Sequence, residues 1–256
     1  VDLAIVGVAP KYILPVLQEC VDKGVKVVLA SGRPLVGMEK FLHQLGLTGQ
    51  DDYVLSYNGS LVQNVGSGEV LASRLLTGAD ARYLAAISEQ LGVNIHAFSE
   101  RQGLIAPRNS RYTELERSHN ELILTELDFA SLPDEEPILK VMMVDEPEIL
   151  AQAVSRLPAE VYQNYTVVQS TPYFLEFLHP QSNKGSGVAA LAEHLALPAE
   201  AIICVGDAGN DAHMIAYAGL GVAMGNATDE IKAMADFVTH SNEDDGVAHV
   251  IERFIL

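Results

Sequence analysis

Twice in this chain a short apolar run stops at small polar residues and gives way to a segment with helical spacing, and that repeated grammar limits the folds open to it. Residues 26–30 read KVVLA, bounded by Gly24 and by SGRP. A β-branched run closed by turn residues is a buried strand ending in a loop. Residues 35–46 then place Leu35, Met38, Phe41, Leu42 and Leu45 at helical intervals, and YVLS at 53–56 forms a further strand closed by Tyr57, Asn58 and Gly59. Strand, helix, strand is the unit that joins parallel neighbours, which need a crossover rather than a tight turn. SLVQNVGSGEVLAS, two apolar stretches about a Gly-Ser-Gly turn, reads as a hairpin projecting from that unit. The alternation returns near the C-terminus: helix 184–195, strand 201–205, helix 211–218, strand GVAM, helix 228–234, strand DFVT and helix 245–254. An α/β fold with a doubly wound, Rossmann-like parallel sheet follows.

Between these blocks the pattern changes. ADARYLAAISEQLG and EPEILAQAVSRL have helical periodicity and alternate with longer strand candidates, VNIHAF, ILKVMMVD, and the pair YTVVQST and YFLEFL about Thr171-Pro172. That is α+β order. The economical reading is a discontinuous core, residues 1–76 and 182–256, interrupted by an inserted α+β cap at 77–181. A chain of 256 residues, 48% hydrophobic and 20% charged, has apolar material for both parts and is not of the disordered class. No apolar run approaches the ~18 residues of a membrane span, and no secretory leader is visible. Cys20 and Cys204 lie far apart inside apolar segments, as buried free thiols of a reducing compartment do, so a cytoplasmic location is expected. The net charge of −18, without a basic cluster, argues against nucleic acid as a partner. It leaves room for a small anion, because one lysine, a few N–H groups and a divalent cation reverse the local sign.

Three stretches bear chemistry. In AIICVGDAGNDAHMI an apolar strand runs into Gly206-Asp207, with Asn210 and Asp211 before the next helix. In parallel α/β sheets ligands collect outside the carboxyl ends of strands, and oxygen donors there suit a hard divalent cation. The same letters fit an N-cap and a first-turn acid. In ASGRP, Ser31 and Gly32 follow a strand directly and offer a hydroxyl and an approachable N–H, a phosphate seat or a plain turn. In NKGSGVAAL, Lys184 stands at a helix start, where the dipole disfavours a cation, so it is either solvated or has an anion to meet. GSGVAA imitates a dinucleotide fingerprint, but HPQSNK separates it from the preceding strand, where the fingerprint would open directly. The eight histidines show no i, i+4 metal pair, and the methionines, Met142 and Met143 among them, fit a core. The run Asp134-Glu135-Glu136 reads as a solvated loop, and the polar cap residues His96, Arg108, Tyr112 and Glu114 as ordinary cap surface rather than a ligand pocket.

Their order is more telling than any one of them: a hydroxyl after a strand, a cap-sized insertion, a lysine at a helix start, then a strand ending in Gly-Asp with a further Asp. With SYNGSLVQ, LKVMMVDEPEIL, PYFLEFL, NKGSGV, GLGVAMGNA and SNEDDGVAHVIE, this order resembles the haloacid dehalogenase superfamily, and within it the Cof-type sugar phosphatases with a large α+β cap. The resemblance runs from about Val8 to the end. It implies a Mg²⁺-dependent phosphatase in which a strand-end aspartate attacks the phosphate of a small phosphorylated metabolite, forming an aspartyl-phosphate that water hydrolyses. Ser31 and Gly32 would hold the phosphate, Lys184 would neutralise its oxygens, Asp207 would ligate Mg²⁺ and Asp211 would support the metal shell. Arg33, Asn58 and Asn210 would edge the substrate pocket, and the cap would close over the sugar. In the family the first strand ends in Asp-x-Asp-Gly-Thr. Val1-Asp2-Leu3 matches the first half, so Asp2 would be the nucleophile and a metal ligand, but Ala4 occupies the place of the second Asp and no Gly-Thr follows. Two expectations stand on that departure: a segment missing between Leu3 and about Val8, or a protein that binds phosphorylated ligands without hydrolysing them.

Overall fold

The computed structural model describes the backbone of residues 10–256 and side chains from residue 13 onward. It divides into two compact units, Val1–Ser73 with Asn183–Leu256, and Arg74–Ser182.

In the first unit, β1 (Val28–Ala30) pairs in parallel with β2 (Tyr53–Ser56), in the register Val28 opposite Tyr53 and Ala30 opposite Leu55. β3 (Leu61–Asn64) and β4 (Val70–Ser73) continue this sheet as the antiparallel hairpin. A second sheet holds β11 (Ile203–Gly206), β12 (Leu220–Ala223) and β13 (Phe237–Val238), all parallel. Successive residues of β2 bury on opposite sides. Val54 joins Ile13, Leu17 and Cys20 of α1 (Pro10–Asp22), Leu42 of α2 (Glu39–Gln44) and Ile251 of α10 (Gly246–Phe254), while Tyr53 and Leu55 pack on Leu191 of α7 (Lys184–His194). Helices on both faces are what a doubly wound strand requires. The helix expected over 35–46 is shorter: Pro34 stays extended, Leu35–Gly37 form a 3₁₀ turn, and Met38, with φ −107°, breaks the register before α2 begins. The parallel strands are joined through α8 (Ala212–Tyr217) and α9 (Asp229–Met234).

The second unit has a six-stranded sheet in the order β7-β6-β5-β8-β10-β9, antiparallel except for the β6/β7 pair. The strands are β5 (Asn94–Ser99), β6 (Gly103–Ala106), β7 (Leu124–Glu126), β8 (Ile138–Val144), β9 (Thr166–Thr171) and β10 (Phe174–Leu178). One face places Ile95, Ala97, Val141, Met143, Leu175 and Phe177 in a common core with Leu84 of α3 (Gly78–Leu91), Leu150 of α5 (Pro147–Ser155) and Val161 of α6 (Ala159–Asn164). Side chains alternate across a strand, so His96, Phe98, Lys140, Met142 and Glu176 share the opposite face. There α4 (Arg111–His119) brings Thr113 Oγ1 to 3.2 Å from His96 Nδ1.

The reading of His96 and Tyr112 as cap surface is corrected by this packing. His96 is fully enclosed and Tyr112 is buried, its hydroxyl donating to Glu146 at 2.8 Å, whereas Arg108 is exposed and Glu114 half-buried. Burial, with Lys140 nearby, pushes the His96 imidazole down to about 3. Glu136 departs from the solvated-loop reading too: it is 3% exposed and accepts a 2.5 Å hydrogen bond from Ser99. Among the described residues, no helix is long and apolar enough to cross a membrane, and both cysteines are buried and free.

Candidate active site

The site is assembled from four chain segments of the first unit, each at the carboxyl end of a strand or the start of a helix. The loop after β1 and the turn after β2 are laced together by their backbones: Ser31 donates to the Leu55 carbonyl (2.9 Å), Asn58 to the Ser31 carbonyl (2.9 Å) and Tyr57 to the Arg33 carbonyl (3.1 Å). The Arg33 N–H donates to Ser31 Oγ at 3.2 Å, which pins that hydroxyl over the loop. A Cβ on Gly32 would stand 3.1 Å from the Asn58 amide, so glycine there leaves Asn58 its place over the loop. Tyr57, Asn58 and Gly59 all have positive φ (50°, 55° and 84°). Asn and Gly tolerate that region, while Tyr57 stores local strain of the sort that collects at functional sites. At Gly59 a Cβ would lie 2.4 Å from the Asn183 carbonyl, so the turn touches the start of α7 backbone to backbone.

Asn183 caps α7, its side chain accepting from the Ser186 N–H while Ser186 Oγ receives the Asn183 N–H. This cap sets Lys184 as the first helical residue. Its side chain is buried, and Nζ donates to Asp211 Oδ1 at 2.7 Å. The other oxygen of Asp211 accepts the N–H groups of Asp207 (2.9 Å) and Ala208 (3.1 Å). Burial alone would raise the Asp211 carboxyl, but the Lys184 ammonium and the two N–H bonds hold it below the usual carboxylate range. Gly206 leaves room for it, since a Cβ there would fall 2.4 Å from the Asp211 Cβ. The nearby Cys204 thiol is pushed up to about 12 by burial and by the Asp211 charge, which removes it as a nucleophile.

Asp207 directly follows β11, half-buried, and accepts the Asn226 amide on Oδ2 at 3.2 Å. Asn210 reaches across to Asn58 Oδ1 at 3.0 Å and so joins the loop after β11 to the turn after β2. The structure therefore brings Ser31, Gly32, Arg33, Asn58, Lys184, Asp207, Asn210 and Asp211 together, although up to 180 positions separate them in sequence. Asp2 lies outside the described residues. Sequence reasoning missed Asn226, whose only signal was its place in GLGVAMGNA.

The donors at the end of β11 are oxygens, the chemistry a hard divalent cation takes. With Asp211 engaged by Lys184 and two N–H groups, Asp207 is the carboxylate whose half-exposed position suits direct coordination. Among the described residues no group of three or more His, Cys, Asp or Glu side chains forms a metal cage by itself. The residues described thus fit Mg²⁺ as part of a donor set.

Residues 8–251 match the family model of haloacid dehalogenase-like hydrolases. The chain is 39% identical over 236 residues to "Putative phosphatase YxeH" of Bacillus subtilis, covering 91% of this chain and 87% of that protein. It is 28% identical over 240 residues to the 5-amino-6-(5-phospho-D-ribitylamino)uracil phosphatase YcsE of the same organism, covering 94% and 86%. Among solved structures, a haloacid dehalogenase-like hydrolase from Bacteroides thetaiotaomicron superposes with a TM-score of 0.82 at 30% identity, covering 94% of this chain and 91% of that one. Strand-end acids, a buried lysine at a helix start and this sequence match agree, and the chain belongs to the haloacid dehalogenase-like hydrolases as a phosphatase of that family.

Proposed function

We propose that this phosphatase hydrolyses a phosphate monoester of a small metabolite, a sugar phosphate or a compound of similar size, with Mg²⁺ and through an aspartyl-phosphate on Asp2. The observation that supports it most is the Lys184–Asp211 pair, 2.7 Å apart and buried, at a helix start beside the Ser31–Asn58 loops. An ammonium fixed in a dry site stabilises the charge on transferring phosphoryl oxygens without reorganising during reaction. Ser31 Oγ and the Gly32 N–H take the remaining oxygens, and Arg33, Asn58 and Asn210 shape the edge of the seat. Mg²⁺ held by Asp207, with Asp2, would supply offsetting charge between nucleophile and phosphate. An Asp2 oxygen attacks phosphorus as the ester oxygen leaves, and water then attacks the same phosphorus, freeing phosphate and restoring the carboxylate. Ala4 stands where the family has its acid and base, so this reading goes with the first of the two expectations, an acid and base in a segment missing between Leu3 and about Val8. The buried free thiols support a reducing, cytoplasmic setting.

Phosphate release from a panel of sugar phosphates and an aryl phosphate, with and without Mg²⁺, tests this reading. Release that requires Mg²⁺ and falls at least ~10³-fold in Asp207→Ala supports it. Mg²⁺-independent release, or release that Asp207→Ala leaves intact, overturns it.

A further inference from the structure

We infer that Asn226 is a positioning residue that aims the Asp207 carboxylate at the divalent cation, and that it ties metal affinity to the loop after β13. The inference rests on the reading of Asp207 as a metal ligand and extends it to a residue with no role so far.

Three observations support it. The Asn226 amide Nδ2 donates to Asp207 Oδ2 at 3.2 Å. Its own carbonyl oxygen accepts the Asn242 N–H at 2.9 Å, which fixes which end of the amide faces the acid. The backbones on either side are sewn together: Met224 donates to the Gly206 carbonyl, and Gly225 to the His240 carbonyl, both at 2.9 Å. Gly225 admits this approach because a Cβ there would stand 2.7 Å from the Ser241 nitrogen. The loop holding Asn242 is braced in turn by Ser241 Oγ, which donates to Asp244 at 2.6 Å, and by Thr239 Oγ1, which donates to the Gly246 carbonyl at 2.8 Å.

A neutral amide donor on one oxygen of a ligating carboxylate restricts its rotation and leaves its charge in place. Groups placed this way around a metal ligand typically change affinity by about 10- to 100-fold when removed. Asn226 is exposed, so truncating it removes the hydrogen bond without opening a cavity.

The test compares Mg²⁺ binding by calorimetry to the full chain, to Asn226→Ala and to Asp207→Ala, with thermal unfolding in chelator as a control. The expected result is Mg²⁺ binding that is abolished in Asp207→Ala and weakened about tenfold or more in Asn226→Ala, with an unchanged metal-free unfolding midpoint. In turnover the same variant should need more Mg²⁺ for half-maximal rate yet recover most of kcat at saturation. Mg²⁺ binding to Asn226→Ala within twofold of wild type, while Asp207→Ala abolishes it, overturns the inference and leaves the metal reading standing. Wild-type protein that does not bind Mg²⁺ overturns both.

Discussion

Each unit of this protein buries a lysine against an acid, and the two pairs are built differently. In the first, Lys184 and Asp211 meet at 2.7 Å at the ends of elements, where a helix begins and a strand stops. In the second, Lys140 and Glu176 meet at 3.2 Å in the middle of adjacent antiparallel strands, with the Phe98 ring 5.1 Å from Nζ. Both pairs are nearly excluded from water, and desolvating two charges costs as much as their attraction returns unless further bonds complete them. Asp211 has such bonds from two backbone N–H groups that exist because β11 ends there. Elements that stop short leave N–H groups to offer, whereas a strand interior has spent its own on the ladder. A buried pair at strand ends therefore has backbone N–H groups within reach that a pair on the face of a strand interior does not draw from its own ladder.

The largest effect expected from breaking that comparison is at Asp211. Asp211→Asn keeps the shape and removes the charge that holds Lys184, so kcat/KM for phosphate release should fall by about 10²-fold or more while the protein stays folded. Next is Lys140→Met, which leaves Glu176 enclosed without this ammonium. Denaturant unfolding should show a loss of about 3 kcal/mol or more, much of it recovered in Lys140→Met with Glu176→Leu, as happens when a buried pair is replaced by apolar groups. If the double variant is no more stable than the single one, the pair is not the unit of stability. His96 gives the third effect. Its folded value, about 3, lies below the ordinary value of 6.5, so the unfolded chain binds the extra proton first. Its contribution to stability is whole above pH 6.5 and is lost as pH falls toward 3, at up to about 1.4 kcal/mol per pH unit. In His96→Gln, the unfolding free energy should lose that slope between pH 6 and 4. Smallest is Ser110→Ala, which removes the cap hydroxyl that accepts the Thr113 N–H of α4 and should cost about 1 kcal/mol in the same assay.

How much of this was legible in the sequence follows the range of the interactions. The strands around ASGRP and AIICVGD, the hairpin about Gly-Ser-Gly and the helix opened by Asn183-Lys184 are local patterns, and they lie where spacing placed them. The acids after β11 were visible as acids, but Asp211 as the partner of Lys184 was not, because that bond spans 27 positions. Asn226 was invisible for the same reason: nothing near it in sequence shows that its amide crosses to the end of β11. α4 has few apolar residues in RYTELERSH, so periodicity did not announce it, and without α4 the burial of His96 had no visible cause. α1 was also unassigned, because Pro15 lies inside it, where proline removes a helical hydrogen bond, whereas Pro10 falls in its first turn, where proline is well tolerated.

The account turns on Lys184 as the fixed cation of a phosphate site, and the most direct measurement is kcat/KM of Lys184→Met on an aryl phosphate at saturating Mg²⁺. A loss of about 10³-fold or more, in protein whose circular dichroism matches wild type, is the predicted result. A folded variant within tenfold of wild type would contradict it and place the chemistry elsewhere.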